Sequence, residues 1–363
     1  MDASLYNPLY LTLVAVLCIP MGIKYFNSRG DTLQSQRSGY LWPLLISVVL
    51  VFWLGFRPVS GHYFGDTSNY ARIYDMVIVE PIVIDWAKEW LWGSLLIICR
   101  SSGLNVSEFF TIVEAGYILT ALWAVKRLMP GKPMLAFLFI LSSFSFYTYG
   151  INGIRNGLAC HVFILALSYW VNRRYVVGAL LCLAAFGVHR SIMLPIAAAL
   201  TSIFFIKSPR TAIRFWILSI LISLVAGGAV TNFFASLGFD DRMSHYTSTN
   251  ADMSEFSRTG FRWDFLLYSA MPIWLTWYVA VKKRINDRVF NIISTTYILT
   301  NAFWVMVISS SFSNRFAYLS WFLYPVVIAY PLINLQVWKD QDRKAGIFLL
   351  AYCGFTLFMD LIY

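Results

Sequence analysis

Charge is scarce in this chain. Only 13% of its 363 residues are Asp, Glu, Lys or Arg, about half the share of a soluble domain. With 59% hydrophobic residues and a mean hydropathy of +0.64, an ordinary soluble core is excluded. Cysteine is also sparse: Cys18, Cys99, Cys160, Cys182 and Cys353 are scattered, mostly inside apolar runs. Without a CxxC or a His/Cys cluster, neither a disulfide framework nor a zinc site is indicated. No P-loop is present, which excludes ATP-driven transport by this chain, and no HExxH or GxSxG occurs. The outer loops lack the Asp-x-Asp pair with which nucleotide-sugar transferases hold a metal; Asp240 and Asp241 are adjacent instead.

What the chain has is hydrocarbon. Repeated apolar runs of about 18 to 23 residues match the thickness of a bilayer. They predict an all-α polytopic membrane protein of about twelve spans, forming one integral membrane domain over residues 1–363. The first run, Leu5 to Phe26, has no basic segment before it and no small-residue cleavage site after it, and reads as a retained span. Further spans are expected at about Tyr40–Phe56, Ser107–Val125, Pro133–Tyr149, Ile154–Val171, Ala212–Leu237, Trp263–Val281, Val289–Ser309, Phe316–Val337 and Ala345–Tyr363. Two shorter runs, Tyr175–Val188 and Ser191–Ile206, are separated only by His189 and Arg190. The segment from Asp85 to Cys99 is too polar at its start to span, and its tryptophans Trp86, Trp90 and Trp92 suggest an interfacial helix.

Basic loops set the orientation. Eight of the nine lysines fall in loops assigned inside, and only Lys88 falls outside. The other outer cations are all arginine: Arg57, Arg72, Arg100, Arg155, Arg190, Arg242, Arg258, Arg262 and Arg315. This places both termini and the loops at about 57–106 and 238–262 on the outer side of the membrane, with a polar cavity facing that side. Arginine's planar fork binds phosphate or carboxylate bidentately, so the excess points to a phosphate-bearing or acidic ligand. The competing reading pairs these arginines with the outer acids Asp75, Glu80, Asp85, Glu89, Asp240 and Asp241.

Four stretches carry the candidate chemistry. The first, residues 57–75, gathers Arg57, His62, Tyr63, Asp66, Thr67, Tyr70, Arg72 and Asp75, with Gly61 and Gly65 letting the backbone turn before Asp66. The second, residues 149–159, sets Asn152, Arg155 and Asn156 at a helix start, where free amides favour an anion. The third holds His189 and Arg190; imidazole changes charge near neutral pH and is a candidate proton acceptor. The fourth, residues 313–318, holds Arg315 and Tyr318. Arg57, Arg155, Arg190 and Arg315 are expected to converge on one outer cavity. Asp252, Glu255, Arg258 and Arg262 lie on the last outer loop and are candidates to close over a substrate. Glu114 and Asp360 are carboxylates inside apolar runs, candidates to pair with arginines or carry protons.

These stretches resemble a known family. FGDTSNYARIY after the second span is similar to the "F-x-DT-x-xY" signature of the EpsG family, Wzy-like polymerases of bacterial surface polysaccharides. GINGIRNGLA resembles its "GIRQ-x-LA" stretch, with Asn156 where glutamine is commoner; GVHRSIMLP resembles its "HxS" element and NRFAYL its late arginine–tyrosine stretch. Order and spacing agree from about Tyr10 to Tyr330. The resemblance implies a glycosyltransferase that joins undecaprenyl-pyrophosphate-linked oligosaccharide repeat units on the periplasmic face, without a cofactor or metal. Its expected partners are those lipid-linked substrates, membrane lipid and a chain-length regulator, and no nucleic acid. Arg57, Arg155, Arg190 and Arg315 would stabilise the leaving pyrophosphate. His189 and Asp66 are the candidate bases, with His189 favoured as base and Asp66 as a positioning group. His62, Tyr63, Thr67, Tyr70, Arg72, Asn152, Asn156, Arg258, Arg262 and Tyr318 are the candidate substrate contacts. Two other readings stay open: a transferase using a polyprenyl-monophosphate sugar, and a transporter of the lipid-linked glycan. Ionisable groups along the span centres would favour the transporter; here they concentrate at one face.

Overall fold

A long apolar run has one economical way to satisfy its backbone in lipid, the α-helix, and every regular element among the described residues is helical. The computed structural model describes residues 1–28, 39–77, 84, 86, 88–206, 208–236, 260–310 and 313–362. In chain order the first helices are α1 (Tyr6–Phe26), α2 (Leu41–Gly55), α3 (Gly61–Phe64), α4 (Thr67–Met76), α5 (Trp90–Ser101), α6 (Val106–Leu128), α7 (Pro133–Leu141), α8 (Phe146–Ile151), α9 (Ile154–Val171) and α10 (Tyr175–Val188). After a 3-10 turn at Arg190–Ile192 come α11 (Met193–Phe204), α12 (Pro209–Ser236) and α13 (Trp263–Thr276), which continues as a π-helix over Trp277–Lys282. The last are α14 (Arg288–Met306), α15 (Ser313–Trp321), α16 (Tyr324–Asn334) and α17 (Gln341–Ile362). Among the described residues, with α15 and α16 taken together as the run Arg315–Asn334, eight helices are long and apolar enough to cross a membrane, and four shorter apolar ones accompany them: Leu41–Gly55, Trp90–Ser101, Tyr175–Val188 and Arg190–Phe204. The chain is an all-α polytopic membrane protein.

It divides into two compact units, Met1–Ile192 with Ala329–Tyr363, and Met193–Ile328. The core of the first is α6 against α9, flanked by α2 on α6 and by α10 on α9, while α1 pairs with α17. Phe109, Phe110, Ile118, Phe163 and Ile164 are fully buried there. The start of α6 is fixed by a capping box: the Asn105 side chain accepts from the Ser107 and Glu108 amides, and the Asn105 amide donates to Glu108 Oε2 at 2.7 Å.

The run expected as one span over Pro133–Tyr149 is broken. Helix α7 ends at Leu141 and α8 begins at Phe146, around the buried serines Ser142, Ser143 and Ser145. Serine hydroxyls compete for backbone partners and so favour such a break. The carbonyls involved are met by hydroxyls from three other helices. Tyr10 of α1 donates to Leu141, Thr356 of α17 to Ser142 at 2.7 Å, and Tyr117 of α6 to Phe146 at 2.8 Å. Irregular backbone inside an apolar bundle is tolerated on just this condition.

The first unit has two chemically different ends. At one, Lys126 of α6 lies 4.0 Å over the Tyr40 ring, Arg127 donates to Ser168 at 3.1 Å, and buried Lys132 pairs with Asp342 beside Tyr25. At the other end, Tyr6 of α1 packs edge-on against Phe64 at 5.3 Å, and Asn7 donates to Asp360 of α17 at 2.7 Å. Both termini and the Asp66 stretch therefore share this second end. Asp360 is exposed there.

The second unit is held by a buried polar seam on α14. Trp216 donates to Asn301 at 2.7 Å, and Asn301 donates to Ser320 at 2.9 Å. Tyr297 donates to the Ser269 carbonyl at 2.9 Å and Trp321 to the Ser269 hydroxyl at 2.7 Å. Such side-chain bonds hold helices together where lipid gives no hydrophobic drive.

Candidate active site

The site is built from three segments that meet at the second end of the first unit. The first follows α2. Ser60 accepts from the Tyr63 amide at 3.3 Å and so starts α3. Gly65 then turns the chain at φ +54°. A side chain there would meet Asn152 at 2.5 Å, so glycine is required both by conformation and by contact. With that space kept free, the Asp66 amide donates to Asn152 Oδ1 at 2.8 Å, and Thr67 Oγ1 donates to the Ile151 carbonyl at 2.8 Å. The first motif thus lies on the turn that opens the second, and Asp66 is half-buried.

The second segment is the start of α9. Arg155 points its Nε at the Tyr70 hydroxyl, 3.4 Å away, and its guanidinium carbon is 5.6 Å from the Tyr70 ring. Arg155 Nη1 pairs with Glu89 Oε2. Tyr70 is itself buried and packs edge-on against Trp92 of α5 at 5.8 Å.

The third segment is the end of α10. Gly187 lets that helix close on the start of α5, where an added Cβ would meet the Trp90 ring at 2.7 Å and Leu91 Cβ at 2.8 Å. His189 follows in extended backbone and ends the helix. Its Nδ1 meets Glu89 Oε1. The Glu89 carboxylate accordingly stands between His189 and Arg155, and it also accepts from the Arg190 backbone amide. Burial pushes the Glu89 carboxyl up. The His189 hydrogen bond, the Arg155 charge and the Arg190 amide outweigh that and hold it below the ordinary carboxylate range. The three side chains are 20% (Glu89), 24% (Arg155) and 27% (His189) exposed, so they remain within reach of a ligand.

Of the residues expected to act together, the structure gathers Asp66, Thr67, Tyr70, Asn152, Arg155, His189 and Arg190. Arg57 shares the Ile151 carbonyl with Thr67 but is closed off from a ligand. Its side chain is wholly buried, donating to Glu114 at 3.0 Å and to the Leu54 and Ile151 carbonyls at 2.7 and 3.2 Å, over the Phe110 ring at 4.8 Å. His62 and Tyr63 are exposed on α3, edge to face at 4.6 Å. Arg72 is exposed and donates to Asn69 at 3.0 Å. Half-buried Asn156 accepts from the Cys160 thiol at 3.4 Å. In the second unit, Arg262 precedes α13, bonds Asp264 twice at 3.0 and 2.6 Å, and covers the Phe265 ring. Arg315 lies half-buried in the first turn of α15, and Tyr318 is buried beside Phe322. Arg258, with Arg242, Asp252 and Glu255, lies outside the described residues.

The pairing of outer arginines with acids, set against ligand binding in the sequence, is realised by Arg100 with Asp75 at 3.7 Å and by Arg155 with Glu89. The residue that sequence reasoning underrated is Glu89. Its one signal was an acid set immediately before the aromatic run Trp90-Leu-Trp92. Among the described residues, no three His, Cys, Asp or Glu side chains are grouped to hold a metal ion. Residues 40–362 match the model of the EpsG family, a family of polysaccharide-polymerase type. No curated protein and no solved structure matches the chain.

Proposed function

The chain belongs to the EpsG family, and on that premise we propose that it is a membrane glycosyltransferase which polymerises a bacterial surface polysaccharide. Its substrates in this reading are undecaprenyl-pyrophosphate-linked repeat units, joined on the periplasmic face of the inner membrane. The observation that carries the reading is the meeting of three distant stretches around one carboxylate. Arg155, His189 and the Arg190 amide contact Glu89, Tyr70 reaches Arg155, and Asp66 bonds through its amide to Asn152 on the turn that opens the Arg155 stretch. The compartment is supported by charge: Lys126, Arg127 and Lys132 gather at the opposite end of the same unit, which positive-inside bias assigns to the cytoplasm.

The chemistry follows from the side chains. The acceptor sugar's hydroxyl gives its proton to His189 Nε2, and its oxygen forms a bond to the donor's anomeric carbon. The bond from that carbon to the pyrophosphate oxygen breaks, and the electron pair leaves with the lipid pyrophosphate. Charge grows on that leaving group, where the guanidinium groups of Arg155 and Arg190 stabilise it without reorganising. Asp66 orients the acceptor hydroxyl. The pyrophosphate bond is already activated, so the step needs neither ATP nor a metal. Exposed Tyr63 supplies an aromatic face for a sugar ring, and buried Tyr70 holds Arg155.

The test is reconstitution. The purified protein, given undecaprenyl-pyrophosphate-linked repeat units, should build a ladder of longer glycans on lipid. A protein that moves the intact lipid-linked glycan across vesicles and lengthens none is a transporter, and the proposal fails. Cysteine labelling from outside checks the side: position 66 should label and position 283 should not. If Asp66→Asn binds both substrates yet makes no product while His189→Ala extends chains at the parental rate, the base is Asp66.

A further inference from the structure

We propose that Glu89 is the positioning residue of this site: it fixes His189 as the Nδ1–H tautomer, and it transfers its charge from Arg155 to His189 when a pyrophosphate takes hold of Arg155. The identity of that anion rests on the polymerase reading.

One carboxylate has two oxygens and two different partners here. Oε1 meets His189 Nδ1 and Oε2 meets Arg155 Nη1. An ionised carboxylate only accepts hydrogen bonds. Neutral His189 must therefore carry its hydrogen on Nδ1, which leaves Nε2 as the basic nitrogen. A base oriented by a third group is the general arrangement for activating a hydroxyl. Among the described residues, the charged and titratable groups set around the ring are Glu89 at the start of α5, Arg155 from α9, Arg190 beside it in the chain, and Tyr70 of α4, which reaches Arg155.

Among the described residues, Arg155 is tied besides Glu89 to Tyr70, through its hydroxyl and its ring. Its bond to the Tyr70 hydroxyl is 3.4 Å, long for a hydrogen bond. A pyrophosphate offers several oxyanions to a guanidinium fork and competes directly with Glu89 for Nη1. Once Arg155 has turned to the anion, the Glu89 charge bears on the imidazole alone. The Nδ1–H bond strengthens, and the imidazolium formed on proton transfer is better stabilised. The base is then strongest only after the donor is bound, so activation of the acceptor follows capture of the donor.

The experiment reads the imidazole directly by nuclear magnetic resonance. Full-length protein with nitrogen-15 histidine is placed in lipid nanodiscs, and the His189 signal is assigned by its loss in His189→Gln. Glu89→Leu should abolish the Nδ1–H preference, and Glu89→Asp should keep it. Inorganic pyrophosphate at saturation, and separately Arg155→Gln, should each move the Nδ1 proton further downfield. Neither should move it in Glu89→Gln, which keeps an acceptor oxygen but not the charge. Retention of the Nδ1–H tautomer in Glu89→Leu overturns the proposal. So does an Arg155→Gln spectrum in which that proton stays where it is in the parent, or an equal response in Glu89→Gln. Failure of pyrophosphate to bind counts against the polymerase reading, while the variant arms still decide the role of Glu89.

Discussion

Two arginine–glutamate pairs lie close to the start of α9, one at the turn before it and one in its first turn, and are used differently. Arg57 and Glu114 are both 0% exposed and reach the turn through the Ile151 carbonyl. Arg155 and Glu89 are 24% and 20% exposed, and Glu89 has a third partner in His189. In the sealed pair, Arg57 Nε and Glu114 Oε2 have no hydrogen-bond partner among the described residues. Burying such a pair is costly, and its merit is that it defines one arrangement. In the half-open pair, the donors stay within reach of a ligand and can exchange partners. The difference separates an anchor from a working group more clearly than residue type does, since both are arginine with glutamate.

The largest expected effect lies in the anchor. Glu114→Leu alone leaves a buried guanidinium without its counter-charge and should cost about 3–5 kcal/mol. Thermal unfolding of the purified protein and its yield in membranes measure this. The pair replaced together, Arg57→Met with Glu114→Leu, should recover most of the loss. If Glu114→Leu is as stable as the parent, the pair is no anchor and the contrast between the two sites collapses.

The next effect is on turnover. His189→Ala should lower the rate of chain extension by about 10²- to 10⁴-fold, the usual worth of a general base. Its unfolding midpoint should move little, because the ring is 27% exposed and changes at such sites are small. Binding of the lipid donor should persist. A variant that loses donor binding together with turnover would make His189 a ligand contact and would shift the base to Asp66.

Much of the scaffold was legible in the sequence. The apolar runs at Leu5–Phe26, Ser107–Val125 and Ile154–Val171 became α1, α6 and α9 with boundaries close to those expected. Hydropathy reports which segments leave water, and these three are long and apolar enough to cross a membrane. The break at residues 142–145 was not legible. Three serines in an apolar run look tolerable as helix, and only Tyr10, Thr356 and Tyr117 from other helices make the broken backbone affordable. The site was half legible for the same reason. Arginines at span ends stand out against lysines, so Arg155 and Arg190 could be found. That Arg57 would be sealed and that Glu89 would join two motifs depends on contacts between distant segments, which no local period encodes.

A smaller effect sharpens the comparison inside the half-open pair. Arg155→Lys keeps the charge and loses the fork, so the donor should bind about tenfold more weakly. Stability should change by less than about 1 kcal/mol, as for most partly exposed ion pairs. An isotherm for the lipid donor checks the first, and thermal unfolding the second. A lysine variant that binds the donor as the parent does would reduce Arg155 to a partner of Glu89.

The smallest effect is the acid limb of stability. The Glu89 carboxyl lies below the ordinary carboxylate range in the folded protein, because the His189 bond and nearby cations outweigh its burial. Between that lowered value and the ordinary one, near about 4.3, the unfolded chain binds more protons than the folded one. Stability therefore rises with pH across this window. The contribution is fully present above the ordinary value and is lost as pH falls through the folded one. Glu89→Gln cannot titrate and should lack this limb. Every other carboxylate is shared by parent and variant, so the difference between their unfolding midpoints isolates Glu89. The parent should lose more than the variant between about pH 5 and pH 3.5, by about 1 kcal/mol or less. Parallel curves would mean that Glu89 gains nothing from His189 and Arg155 on folding, and the half-open pair would then be a surface contact with no hold on the imidazole.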